Sequence, residues 1–237
     1  MLYLIATPIG NLSDISLRAI DVLKKVSVIA CEDTRRTRAL LTHFGIKHPM
    51  EIMSYYEHNE SKSGERILEY LKNNYTVAFC SDSGYPGISD PGYRLVRMAI
   101  ENNINVEVIP GPSAVLMALV LSGLPTSSFT FKGYPPRRSG SIKRFFEEEK
   151  NAPHTLVLFE SPFRIKKTLE SALTVLGNRY VAMCSELTKK FERVHRSDLV
   201  SLIKYCENTQ IRGEVTLVIA GNNPKFLNDS SNDSKMD

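Results

Sequence analysis

The chain of 237 residues is 42% hydrophobic, 24% charged and 8% aromatic, lacks tryptophan and carries a formal net charge of +4, an ordinary globular composition with length enough for one large or two small domains. No apolar run approaches the roughly 20 residues that cross a bilayer as a helix, and the opening residues 1–8 lack a basic leader and read as a strand. Cys31, Cys80, Cys184 and Cys206 form no C-x-x-C pair, and His43 and His48 lie five apart across a helix end, so neither a disulfide framework nor a metal site is expected and a reduced, cytoplasmic protein is.

Along the chain, β-rich apolar runs predict strands at 2–6, 27–31, 51–54, 76–80, 106–109, 128–131, 155–159, 180–184 and 215–220. Helical patterns between them predict helices near 16–25, 34–43, 60–73, 91–102, 113–122, 140–149, 162–176 and 197–206. Such alternation predicts an α/β protein, and nine strands suggest two α/β domains with mixed, largely parallel sheets. The Gly/Pro-marked stretch 121–128 is the candidate linker, dividing a first domain, 1–120, from a second, 121–221. Residues 222–237, rich in Asn, Ser and Asp, read as a disordered tail. Asp90-Pro91 and Ser161-Pro162 each join a capping side chain to a proline suited to a first helical turn, so helices should start there.

Chemistry concentrates in loops that follow strands, where α/β proteins bind ligands. Ser81-Asp-Ser-Gly-Tyr-Pro-Gly-Ile-Ser-Asp-Pro-Gly92 packs Gly, Pro, Ser and Asp between a strand and a helix. It is neither a Walker loop nor G-x-G-x-x-G, and its two carboxylates suit hydroxyl or amine donors better than phosphates. The plainer alternative is a turn in which Asp90 only caps a helix. Two further small-residue loops, Thr7-Pro-Ile-Gly-Asn11 and Ile109-Pro-Gly-Pro-Ser-Ala114, follow other strands. The three form one site only if their strand ends are neighbours.

Basic residues cluster. Lys132, Arg137, Arg138, Lys143 and Arg144 fall in an acid-free stretch beside Tyr134; Arg35, Arg36 and Arg38 form a second group, and Lys189, Lys190, Arg193 and Arg196 a third. Any one group can be a solvated surface, whereas three in a mildly basic chain favour RNA phosphates and unstacked bases.

These motifs, in this order, resemble the tetrapyrrole methylase superfamily, and within it the branch that methylates small-subunit ribosomal RNA. The likeness rests on Ser81–Gly92, Ala6-Thr-Pro-Ile-Gly-Asn-Leu12, Glu32-Asp-Thr-Arg35 and Ile109-Pro-Gly-Pro-Ser-Ala114. It continues through Gly133-Tyr-Pro-Pro-Arg137, Glu160-Ser-Pro-Phe-Arg164, Glu186-Leu-Thr-Lys-Lys-Phe-Glu192 and Gly213-Glu214. It implies a homodimer with S-adenosylmethionine in an interdomain cleft, methylating the 2′-hydroxyl of a cytidine in the decoding region of 16S rRNA or of the small subunit. Carried over by position, the cofactor contacts are Pro8, Ser81, Asp82, Ser83, Ile88, Ser113, Ala114, Phe159 and Leu187. Asp33 is the candidate base and Lys189 the candidate cation, with Arg35, Arg36, Arg137, Arg138, Lys143 and Arg144 toward the RNA; no metal is implied. Ser83, Tyr85 and Gly87 depart from the usual signature, which has Ala, Thr and Leu there more often. A tetrapyrrole methylase is the enzyme alternative, but that branch resembles a G-x-G-P-G-D opening where this chain has Thr7-Pro-Ile-Gly-Asn11. A non-catalytic ribosome-assembly factor is the other alternative, and intact Gly-rich loops argue against it.

Overall fold

Successive side chains of a strand point to opposite faces of its sheet, and the runs at 2–5, 28–31 and 77–80 bury both. In the computed structural model, which describes residues 1–227, the first unit, Met1–Ser113, contains β1 (Leu2–Ile5), α1 (Leu17–Lys25), β2 (Val28–Cys31), α2 (Thr34–His43), β3 (Glu51–Ser54), α3 (Glu60–Lys72), β4 (Val77–Cys80), α4 (Tyr93–Glu101) and β5 (Val106–Ile109). The strands form one wholly parallel sheet in the order β3-β2-β4-β1-β5. Ile5, Ile29, Cys31, Ala78 and Cys80 pack on one face with Ala19 and Leu23 of α1 and Leu40 and Leu41 of α2. Leu2, Leu4, Val28, Ala30, Val77 and Phe79 pack on the other with Ile67 and Leu71 of α3 and Leu95 and Ala99 of α4. Helices on both faces explain why these strands read as unbroken apolar runs.

The second unit begins at Ala114, so the expected boundary at 120/121 falls inside its first helix. It contains α5 (Ala114–Ser122), β6 (Phe129–Phe131), α6 (Ser139–Glu147), β7 (Thr155–Glu160), α7 (Ile165–Leu176), β8 (Tyr180–Ser185), β9 (Arg193–Asp198), α8 (Leu199–Asn208) and β10 (Val215–Ile219). Its sheet, β6-β7-β10-β8-β9, is mixed: β6 and β7 run parallel, while β10 pairs antiparallel with β7 and β8, and β8 with β9. Parallel pairing thus dominates only in the first unit. Ile142, Phe146, Leu169, Ala172, Leu199 and Leu202 from α6, α7 and α8 cover one face over Leu156, Leu158, Val181 and Leu217.

Three local expectations change. The strand β9, Arg-Val-His-Arg-Ser-Asp, is absent from the apolar pattern because it is a polar edge strand, paired on one side only among the described residues. Neither proline marks a helix start. Gly92 precedes α4, while the amide of Gly87 donates to the carbonyl of Pro91 and closes a turn just before it; Ser161 Oγ accepts from Phe163 N in a turn before α7. Of the expected tail, residues 222–227 are ordered: Pro224–Phe226 form a 3-10 turn and Leu227 bridges to Arg179. The remainder lies outside the described residues.

Candidate active site

Adjacency of β4, β1 and β5 brings the carboxyl ends of all three strands side by side, and backbone groups join the loops that leave them. Thr7 and Gly84 exchange two hydrogen bonds, N–H to carbonyl, at 2.9 and 3.1 Å. Thr7 Oγ1 donates to the Ser81 carbonyl at 3.1 Å, and Ser81 Oγ donates to that of Gly84 at 3.1 Å. The third loop is tied by Gly111 N, which donates to Tyr85 Oη at 3.1 Å. The loops at 7–11, 81–92 and 109–113 are therefore one structure. Tyr85, a departure from the usual signature, is the side chain that links the second loop to the third, a role that no local sequence signal carries.

The glycines serve the turns themselves. Gly92 has φ +142°, and a Cβ there would lie 2.9 Å from the Phe79 ring and 3.0 Å from Gly87 N. A Cβ on Gly111 would lie 3.0 Å from Ala6. Only glycine lets these backbones approach so closely.

Next to β4, the end of β2 adds carboxylates. Asp82 Oδ1 accepts from Asp33 N at 3.0 Å, and its Oδ2 lies 3.4 Å from Arg36 Nη1. Burial and the Asp82 charge push the Glu32 carboxyl up. Burial, then Glu32 and Asp82, push Asp90 up to about 7, so this half-buried carboxyl changes charge near neutrality. Asp33 behaves oppositely. It caps α2 by accepting from Arg35 N at 2.8 Å and pairs with the Arg35 guanidinium at 2.7 Å, which holds its carboxyl well below the usual carboxylate range. A cavity of about 360 Å³ lies between these loops and α2, lined by Thr7, Pro8, Leu12, Arg36, His43, Ser81 and Asp82 among others. Hydroxyls and carboxylates at parallel strand ends, without a lysine cradle, suit a ligand bearing hydroxyls and a positive centre rather than a polyphosphate. Ser83 and Ser113 are half-buried in the same loops, and Ile88 is exposed.

In the second unit, Lys189 Nζ bonds Glu186 at 2.9 Å and Glu214 at 2.8 Å. Burial lowers this ammonium, but the two carboxylates outweigh it and hold it above its ordinary value. Glu186 and Thr188 occupy the left-handed region, at φ +52° and +64°, a strained backbone of the kind found at functional sites. Leu187 between them is buried. Phe159 packs edge-on to Phe131 at 4.9 Å and against Tyr134 at 5.6 Å.

Arg137 and Arg138 just before α6, and Lys143 and Arg144 within it, are all exposed. Lys132 is instead consumed internally, 2.6 Å from Glu148 and 3.2 Å from Glu149. The loop before α6 is positioned by Arg164, whose Nη2 donates to the carbonyls of Pro135 at 2.6 Å and Pro136 at 3.3 Å and lies 3.4 Å from Glu160. Glu160 is fully buried and also accepts from Thr168 Oγ1 and Ser161 N. The motif Glu160–Arg164 is thus a hinge pin for the basic loop, which spacing alone did not reveal.

A family model described as Tetrapyrrole (Corrin/Porphyrin) Methylases matches residues 1–203. The chain is 46% identical over 224 residues to Ribosomal RNA small subunit methyltransferase I of Halalkalibacterium halodurans, covering 94% of this chain and 77% of that protein. It is 43% identical over 220 residues to the protein of that name from Streptococcus pyogenes, covering 93% and 76%. Among solved structures, uroporphyrin-III C-methyltransferase from Thermus thermophilus, complexed with S-adenosylhomocysteine, superposes with a TM-score of 0.62 at 18% identity over 92% of this chain and 96% of that one. The structural likeness carries the fold; the relatives carry the closer kinship, and both extend through the two units. This chain belongs to the tetrapyrrole methylase family.

Proposed function

We propose that this chain methylates the ribose 2′-hydroxyl of a cytidine in the decoding region of 16S rRNA, using S-adenosylmethionine. The observation that carries the reading is the knot of loops at Thr7, Gly84, Tyr85 and Gly111, in a chain whose relatives are small-subunit rRNA methyltransferases. When bound, S-adenosylmethionine supplies a methyl group already activated by its sulfonium. Pro8, Ser81, Asp82, Ser83, Ile88 and Ser113 would hold it in the first unit, with Ala114, Phe159 and Leu187 as the contacts assigned in the second. The carboxylates of Asp82 and Glu32 favour its positive charge, and the serine hydroxyls suit its polar groups.

A ribose hydroxyl is a weak nucleophile, so a group that takes its proton, or a cation that lowers its pKa, assists the step. Those roles are assigned to Asp33 and Lys189. Asp33 accepts a proton only after Arg35 releases it, and Lys189 remains cationic at neutral pH. Asp90 is a second acceptor, favoured by a carboxyl that titrates near 7 beside Glu32 and Asp82. Arg35, Arg36, Arg137, Arg138, Lys143 and Arg144 are assigned to RNA phosphates. A homodimer acting in the cytoplasm completes the reading.

Mass spectrometry of 16S rRNA from cells with and without this protein tests it: a ribose-methylated cytidine should be present only with the protein. An unchanged modification pattern overturns the substrate, and absence of heat on titrating S-adenosylmethionine into the protein overturns the enzyme. Single-turnover methylation then separates the acceptors. Loss in Asp33→Asn or in Asp90→Asn identifies the residue that takes the proton, and near-normal rates in Lys189→Ala remove the cation.

A further inference from the structure

The second unit holds a larger hollow that none of these roles uses. Antiparallel pairing of β8 and β9 sets Met183 opposite His195 and Ser185 opposite Arg193, two pairs spaced by two residues and so on one face of the sheet. That face, the end of α8 and the turn at 209–212 enclose a groove of about 570 Å³, within the size range of small-ligand sites. Buried Met183 and half-buried Ile211 line it, together with Glu186, whose carboxylate is paired by Lys189. One wall is Tyr205, stacked on His195 with ring centroids 4.2 Å apart and planes 23° apart. Phe191 stands at the mouth, 66% exposed, with Lys190 Nζ 5.7 Å from its ring centroid.

Arg193 and Arg212, both exposed, line the same groove. Among the described residues neither has an ion-pair partner; Arg212 bonds only the Gln210 carboxamide, at 2.7 and 3.1 Å. Lys189 and Arg196, from the same basic stretch of sequence, are already engaged, the first by Glu186 and Glu214 and the second at the Leu121 carbonyl. Arg193 and Arg212 therefore keep their charge for a ligand. An apolar slot with aromatic walls and two exposed guanidinium groups along it matches a planar base joined to an anionic backbone.

We propose that this groove takes one unpaired nucleotide of the RNA substrate, its base against Phe191 and Tyr205 and its phosphate on Arg193 and Arg212. The inference rests on the rRNA reading above and adds a recognition point outside the proposed cofactor loops. A short single-stranded RNA carrying one 4-thiouridine, used as the probe, should photo-crosslink to peptides containing Phe191 or Tyr205. The double variant Arg193→Gln/Arg212→Gln should bind this RNA about tenfold more weakly, with a log–log salt slope shallower by about 0.7, the release from one phosphate. Phe191→Ala should lose about tenfold with its slope unchanged, because stacking releases no counterions. Heat of S-adenosylmethionine binding should stay as in the wild type for both.

Wild-type affinity and slope in both variants would overturn the proposal, as would cytidine monophosphate displacing the RNA at equal concentration, which would assign the groove to a free nucleotide. Failure of the wild type to methylate 16S rRNA would remove the functional reading alone, leaving the variants' losses in RNA binding to stand.

Discussion

The two units present loops from the ends of their strands by different means. In the first, backbone groups and neutral hydroxyls make the junction: Thr7 with Gly84, Ser81 with Gly84, Gly111 with Tyr85. In the second, charged side chains do it: Arg164 pinned by Glu160, Lys189 by Glu186 and Glu214, and Lys132 by Glu148 and Glu149. The charge count divides the same way. Residues 1–113 hold 12 lysines and arginines against 13 acidic residues, and the rest of the chain 18 against 13. A junction of neutral groups keeps its shape regardless of salt, which suits a pocket for a small cofactor. Ion-paired loops bearing spare arginines respond to a polyanion, which suits a surface for RNA.

The sharpest test of this contrast is Arg164→Ala, which leaves the Glu160 carboxylate buried with fewer partners. It should destabilise the protein by about 3 kcal/mol, read from urea unfolding; a loss below 1 kcal/mol would mean that charge does not hold the second unit's loops. Neutralising Arg137, Arg138, Lys143 and Arg144 together should weaken RNA binding about a hundredfold at low salt and flatten the salt slope by about 3. An unchanged slope would place the RNA elsewhere.

Asp90, like Asp33 and Asp82, carries charge in the first unit's loops, and it is the one pushed up to about 7. Its folded pKa lies above its unfolded value, so the folded protein holds this proton more tightly than the unfolded chain. The associated stability is complete below about pH 4 and lost as pH rises through about 7. Asp90→Asn should therefore stabilise the protein by about 1–2 kcal/mol at pH 8, after allowance for solvent screening, and by little at pH 4.5. Equal effects at the two pH values would remove the buried-carboxyl explanation. The smallest effect is expected from Tyr85→Phe. Losing the bond from Gly111 N should cost about 1 kcal/mol in thermal unfolding, independent of salt.

Strands buried on both faces were legible because burial itself writes the apolar run: Val77–Cys80 and Val28–Cys31 could hardly be anything else. The polar β9 could not be read this way, since only its partner β8 makes Arg193–Asp198 a strand. Insertion of β10 between β7 and β8 likewise follows from contacts between residues distant in the chain, which periodicity does not encode. In the site, the loop composition of Ser81–Gly92 marked the place, and its dependence on neighbouring strand ends is met by β4-β1-β5. What stayed hidden were couplings across long separations: Tyr85 to Gly111, Arg164 to Pro135, and Asp90 to Glu32. Asp90-Pro91 misled because a capping residue and a proline also build a tight turn, and here Gly92 starts the helix instead.

The outermost strands of the second sheet bear on solubility. An open sheet margin offers unpaired amides and carbonyls to any passing chain. One margin here, β6, is only three residues long. The other carries two guanidinium groups and an imidazole in six residues, and Arg196 folds back onto the Leu121 carbonyl. Charge on an edge strand disfavours pairing with another chain, so exchanging Arg193 and Arg196 for valine is expected to raise self-association, read by light scattering; an unchanged scattering signal would remove that role.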